Sequence, residues 1–352
     1  MEDLQEREAY LLRILGYRRY LHTGQIKSLF YADRADDLVR KRLQDLLALK
    51  FVDRCAYTSL SSGRDHRPFT YWLTGKGAAY VRQRFNEEVT PPRGRKHGEA
   101  YDPTVEHTLA INSLWDALVL AWRQGHPLMH VDWRDEWRGA LLKLPLLSAD
   151  PKKPKTLHHR PDAFVLLRLA TAGELPAVPV VEEPAAQSRW TKITAWDSLF
   201  PDFAPTRVEG VSKWSPRVAF VEMDLGRASE EQLRGKLSKY HFVHNRPEWP
   251  DHYQVPRVGP EKRPLWPGML VLTITERRLN TLARIFADPK EGYEGWILLA
   301  CLEWDEEEVV TVGEGENQHE DRRRKGLVRG PCWWDPRQGR SHLTLTEALL
   351  GV

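Results

Sequence analysis

Apolar positions recur at helical spacing through the first fifty residues, and alternation at strand spacing then takes over. Residues 6–16 carry Tyr10, Leu11, Ile14 and Leu15 on one side and end at Gly16, which suits a helix C-cap. A second stretch, opened by Thr23, runs through Ile26, Leu29 and Phe30. A third begins near Arg34 and sets Leu38, Val39, Leu43, Leu46 and Leu47 toward a core. FVDRCAYTSL and RPFTYWLTG then read as two strands around SSGRDH, where Gly63 supplies the turn, and KGAAYVRQRF closes the unit as another helix.

Beyond this unit the Pro, Gly and charge content of EEVTPPRGRKHGEAYDP marks a linker, with residues 91–103 joining a domain of residues 1–90 to one of residues 104–352. Its cluster Arg93, Arg95, Lys96 and His97 either trails along a polyanion or is simply solvated. A strong helix from residue 104 to about 124 sets Ile111, Trp115, Leu118, Val119 and Trp122 on one face. HVDWRDEWR, LHHRPDAFVLLRL and RVAFVEMDLG read as strands, followed by a helix over 229–243, the strand MLVLTIT, the helix ERRLNTLARIFAD and the strand WILLACLEW. That series predicts an α/β (α+β) layered domain with a mixed sheet. The Pro-rich stretches at about 139–156, 171–215 and 245–266 read as irregular insertions between core elements.

The bulk numbers narrow the class. Of the 352 residues, 41% are hydrophobic and 29% charged, which suits buried cores under a soluble surface. No apolar run reaches the roughly 18–20 residues of a membrane helix. The charged start MEDLQEREAY lacks an apolar signal core, so a cytoplasmic location is expected. Cys55, Cys301 and Cys332 are too scattered for a disulfide framework or a zinc ribbon and read as reduced thiols. The net charge of +3 conceals an asymmetry: residues 1–97 hold 19 Lys/Arg and 12 Asp/Glu, and the remainder 33 and 37. A head of +7 on a body of −4 points the head toward a polyanion.

Three helices, a hairpin and a basic hairpin tip follow the winged-helix (winged helix-turn-helix) plan, in which the third helix enters the major groove and the wing touches an adjacent groove or the backbone. Arg34, Arg40, Lys41 and Gln44 lie outside the core stripe of the third helix, beside Asp37, and Arg64, His66 and Arg67 occupy the tip. Arg and Gln can read base edges, and Lys mainly neutralises phosphate. A solvated helix face, or a winged helix used for protein contacts, is the competing reading.

The sharper chemistry lies in the body. RPDAFVLL and VAFVEMDLG each place acidic side chains in a β-branched, apolar run, where a carboxylate is costly unless paired or bound to a cation. Glu222 and Asp224 point to one face of their strand, and with Asp162 from a neighbouring strand three carboxylates can converge. Such a set suits Mg²⁺, with Mn²⁺ as substitute. Lys236 and Lys239 sit in the following helix, for which Ser229 is a suitable N-cap, and Lys236 shares a face with Tyr240. His107, with Glu106 beside it, falls on the buried side of the helix preceding the strands, either as a core histidine or as part of the site. Salt bridges of Glu222 and Asp224 to Arg217, Arg227 or Arg234 are the plainer alternative.

An acidic helix residue, then PD, then E-x-acid resembles the PD-(D/E)xK restriction-endonuclease-like fold, except that Asp224 stands where that pattern ends in lysine. The resemblance implies that Lys236, on the next helix, takes the lysine's place. More closely, VEHTLAINSLW, RPDA, FVEMDLGRAS and KLSKY are similar to the plasmid replication-relaxation family, over roughly residues 5–90 and 104–300. That resemblance implies association with DNA of a plasmid or other mobile genetic element in replication, relaxation or transfer. Its expected partners are double-stranded DNA, replication or transfer proteins and a second copy of the chain. Two functions stay open: a metal-dependent endonuclease or nickase using Asp162, Glu222, Asp224, Lys236, His107 and Glu106, and a non-catalytic DNA-binding factor with a degenerate nuclease-like domain. The tail, with EDRRRKG as a solvated loop and PCWWDP, adds nothing to either.

Overall fold

A computed structural model describes residues 4–32, 34–56, 69–92, 103–123, 128–135, 142–146, 155–170, 214–253, 255, 257–258, 263–264, 267–287, 295–302, 307–312, 319–324, 327 and 332–350. The chain divides into two compact units, residues 1–116 with 309–322, and residues 117–308 with 323–352.

The first unit opens with α1 (Glu6–Arg18), started by a reciprocal capping box between Gln5 and Glu8. Gly16 is not its C-cap: the helix runs on to Arg18, and Arg19 turns the chain at φ 64°. Gly16 instead makes room for Val89, whose Cγ1 would stand 2.7 Å from a Cβ at that position. A short strand β1 (Leu21–His22) leads into α2 (Thr23–Phe30), capped by His22, whose Nδ1 accepts from the Gln25 amide at 3.2 Å. In α3 (Asp36–Ala48) the buried stripe is Val39, Leu43 and Leu46. Leu38, expected in the core, is 37% exposed because it sits one step off that i, i+4, i+7 line.

β2 (Val52–Ala56) and β3 (Phe69–Leu73) pair antiparallel, and β1 adds to β3, giving the order β1-β3-β2. The hairpin tip with Arg64, His66 and Arg67 lies outside the described residues. α4 (Gly75–Phe85) follows, its first turn held by Thr74 Oγ1 accepting from the Gly77 amide at 3.2 Å. The next helix, α5 (Pro103–Arg123), belongs to this unit as far as Asp116. Asn112 donates to the carbonyls of Arg18 (3.1 Å) and Tyr20 (2.8 Å), and the Gln25 amide donates to Leu109 O at 3.2 Å. These buried amides pair with the carbonyls of Arg18, Tyr20 and Leu109 beside the packed apolar residues Tyr20, Trp72, Val105 and Leu109.

The second unit is α/β, built on a seven-stranded mixed sheet. In chain order its elements are β4 (Leu128–Asp135), β5 (Leu142–Leu146), β6 (Lys155–His159), β7 (Ala163–Ala170), β8 (Trp214–Asp224) and α6 (Glu230–His244). Then come α7 (Trp249–His252), β9 (Arg257–Val258), β10 (Arg263–Pro264), β11 (Gly268–Thr273), α8 (Glu276–Ala287) and β12 (Ile297–Cys301). β13 (Glu307–Val312) and β14 (His319–Arg324) follow, mostly within the first unit, and the second unit finishes with β15 (Trp333–Asp335), β16 (Arg340–Leu343) and α9 (Leu345–Leu350). The sheet order is β16-β15-β12-β11-β8-β7-β4, with β8, β11 and β12 parallel and the other pairings antiparallel. Alternate residues of the central strands, Phe164, Leu166, Val218, Phe220, Met269, Val271, Ile297 and Leu299, pack on the apolar stripes of α6 and α8.

Several expectations change here. LHHRPDAFVLLRL is two strands, because the Arg160–Asp162 bend separates β6 from β7. The stretch at 139–156 contributes the hairpin β5–β6 instead of being irregular throughout. Within 245–266, Trp249 and Tyr253 are core residues, 2% and 0% exposed. The charge run in EDRRRKG lies partly in β14, and PCWWDP supplies β15, an inner strand of the sheet. Most of the 171–215 stretch lies outside the described residues.

Candidate active site

Asp162 stands where the chain enters β7. Pro161 before it has no amide to offer a sheet, so ladder pairing starts only at Asp162, whose N–H donates to Val221 O at 3.1 Å. Its Oδ2 accepts from the Met223 amide at 2.8 Å, which ties the side chain across to β8. On β8, Glu222 shares the face of Val218 and Phe220 and therefore looks toward α6. That helix starts at a capping box between Ser229 and Gln232. Two turns on, Lys236 and Tyr240 lie four residues apart on one side, and both donate to Glu222: the ammonium to Oε2, the phenol to Oε1.

Burial dominates the electrostatics. Glu222 is 3% exposed, and burial pushes its carboxyl well above the usual carboxylate range; Lys236 opposes that shift, and the hydrogen-bonded Asp162 carboxyl reinforces it. For Lys236, burial works to lower the ammonium, but Glu222 first and then Asp162 outweigh it and hold it above its ordinary value. Glu222 and Lys236 therefore each set the other's protonation, with Asp162 acting on both.

Around them stands an aromatic wall that sequence reasoning did not assign to the site. The His159 ring meets Tyr240 edge-on at 4.6 Å and Phe220 at 4.9 Å, and its Nδ1 lies 3.1 Å from the Tyr253 hydroxyl. Phe164 stacks on Tyr253 at 4.8 Å. Burial, with smaller contributions from Lys236, His252 and Lys239, lowers His159 to about 3, so its ring is neutral. Burial, and then Glu222, raises the Tyr253 phenol. The one sequence signal was LHH itself, since histidine in an apolar strand has to be satisfied by something.

Asp224 goes elsewhere. Its Oδ1 accepts from the Gly226 amide at 3.0 Å and its Oδ2 from Arg278 Nε at 2.5 Å. Among the described residues no group of three or more His, Cys, Asp and Glu side chains is placed to hold a metal ion. Glu106, buried, and His107, half-buried, belong to the first unit, apart in the chain's division from Asp162 and Glu222. There, Arg40, Lys41 and Gln44 are exposed on α3, Arg40 lies 3.5 Å from Asp37, and Arg34 precedes the helix.

The chain is thus an α/β protein whose mixed sheet presents a paired-acid and lysine cluster at the β7–β8 junction. It belongs to the replication-relaxation family, whose model it matches over residues 12–258. No curated protein and no solved structure gives a significant match. No helix among the described residues is long and apolar enough to cross a membrane.

Proposed function

We propose that the chain acts on double-stranded DNA of a plasmid or other mobile element in the cytoplasm, gripping it with a winged-helix head and nicking or cleaving it at a restriction-endonuclease-like centre formed by Asp162, Glu222 and Lys236. The observation that carries this reading is the Lys236–Glu222 ion pair. It brings a lysine from the following helix to the acid whose strand has Asp224 in place of the motif lysine. The order helix–strand–helix–helix–strand–strand–helix, with exposed Arg40, Lys41 and Gln44, supports the head's role.

Asp162 and Glu222 fit a divalent cation as a pair, since Mg²⁺ is commonly held by one or two carboxylates completed by water and a substrate phosphate. The two carboxyls are within hydrogen-bonding reach of each other, close enough to share one ion. When bound, Mg²⁺, or Mn²⁺ in its place, would polarise the phosphodiester and lower the pKa of water. Lys236 places positive charge where charge develops on the scissile phosphate. Tyr240 fixes the Glu222 carboxylate, and the His159, Phe220 and Tyr253 wall keeps bulk water from its buried side.

A second reading, a non-catalytic DNA-binding factor, is favoured by one observation: Asp224 is committed to Arg278. Supercoiled plasmid bearing the element's own origin, incubated with the protein and Mg²⁺ or Mn²⁺, separates the two. Nicking by the wild type, lost in Asp162→Ala and Glu222→Ala while DNA binding persists, supports the nuclease. Origin-selective binding without nicking in either metal sinks it and leaves the factor.

A further inference from the structure

Arg278 occupies an unfavourable place for a cation. It lies in the first turn of α8, its amide donating to Thr275 Oγ1 at 3.3 Å, where the helix dipole is positive. Its guanidinium is instead spread over two acceptors outside its own helix: Nε to Asp224 Oδ2 at 2.5 Å and Nη2 to Ala228 O at 2.6 Å. The remaining acceptors at the end of β8 are tied as well. Thr273 Oγ1 donates to Asp224 O at 3.1 Å, and Asp224 Oδ1 takes the amide of Gly226, whose φ of +82° suits glycine.

Ala228 immediately precedes Ser229, the N-cap of α6. The two contacts of Arg278 therefore join the end of the strand that carries Glu222 to the start of the helix that carries Lys236. From Ser229 to Lys236 is about 10 Å along the axis, so a tilt of about 10° at the helix start moves the lysine by about 2 Å, enough to break its hydrogen bond.

We infer that Arg278 is a positioning residue: through Asp224 and the Ala228 carbonyl it fixes the start of α6 and so delivers Lys236 to Glu222. Asp224 is then the anchor that makes a helix-borne lysine workable, and not a third metal ligand. A fork-shaped donor is required, because one side chain serves a carboxylate and a carbonyl together. The inference rests on the nuclease reading for its purpose, but its geometry can be tested without catalysis.

The test uses full-length protein labelled with ¹⁵N-lysine. A lysine ammonium gives a sharp ¹⁵N–¹H cross-peak only when it is held in hydrogen bonds and shielded from exchange, and the Lys236 peak is assigned by its absence in Lys236→Met. The wild type is expected to show the peak, and Asp224→Asn and Arg278→Met to lose it while near-ultraviolet circular dichroism stays native. Arg284→Met, which removes an exposed 3.5 Å contact between α8 and Glu230, is expected to keep it. Should Arg278→Met fail to fold, the near-isosteric Asp224→Asn decides alone. A peak that persists in the folded single variants, that is missing from the wild type, or that vanishes equally in Arg284→Met overturns the inference. Absence of plasmid nicking counts against the nuclease reading only, and leaves this signature readable.

Discussion

Replacing Lys236 by methionine keeps most of the side-chain stem and removes the ammonium that donates to Glu222. Breaking a buried pair from one side costs about 3–5 kcal/mol when the other charge is left stranded. Two features reduce that here. The Lys236 side chain is 41% exposed against 4% for Glu222, so part of its attraction is already screened. The Glu222 carboxyl, already pushed up by burial, also takes a proton more readily than an exposed carboxyl does. The expected loss is about 1–3 kcal/mol at pH 8 and under about 1 kcal/mol at pH 5. The sign follows from linkage. Glu222 has a folded pKa above its ordinary 4.5, so its contribution is full below 4.5 and is lost as pH rises through the folded value. Without Lys236 that value moves higher still, and the variant suffers more in base than in acid. The measurement is native-state hydrogen exchange of the β8 amides, which reads the opening of that strand itself, converted to opening free energies at each pH. An equal loss at both pH values, or a larger loss at pH 5, would refute the reasoning.

Three further outcomes are expected. Gly16→Ala should lower the stability of the first unit by about 1–3 kcal/mol despite alanine's better helix propensity, and Val89→Ala should recover part of that loss in urea melts. His159 is lowered from 6.5 to about 3, so its neutral form stabilises the fold fully above 6.5 and the benefit drains away as pH falls toward 3. His159→Phe should therefore flatten the acid limb of stability by about 1.4 kcal/mol per pH unit between pH 6 and 4. Arg40→Ala and Lys41→Ala should each weaken DNA binding and reduce its salt slope by about one unit, measured by fluorescence anisotropy from 50 to 200 mM salt; unchanged slopes would remove α3 from the DNA interface.

The elements visible in the sequence were those whose pattern is local. The stripes of α1, α3, α5 and α8, the Ser229 cap and the apolar run of β8 can be read from neighbours three or four residues away. What escaped depends on distant partners. Gly16 looked like a cap because Val89, seventy-three residues on, is invisible in a helical window. Trp249 and Tyr253 sit in a Pro-rich stretch that resembles loop, yet they close the core over Phe164 and Phe220. The grouping was half legible. Asp162, Glu222 and Lys236 come together from a pattern readable along the chain, but Arg278, which claims Asp224, lies fifty-four residues beyond it in another helix.

The sheet order carries one more consequence. The family match ends at residue 258, whereas β11, the neighbour on which β8 leans, begins at Gly268. The matched stretch is therefore not one that can stand by itself. Cut after Val258, β8 would become a rim, with the backbone groups from Ala219 to Asp224 that now face β11 left open beside the apolar side chains of Ala219, Phe220, Val221 and Met223. Such a fragment should come out of cells as aggregate, carrying Asp162, Glu222 and Lys236 without the strand that β8 needs beside it.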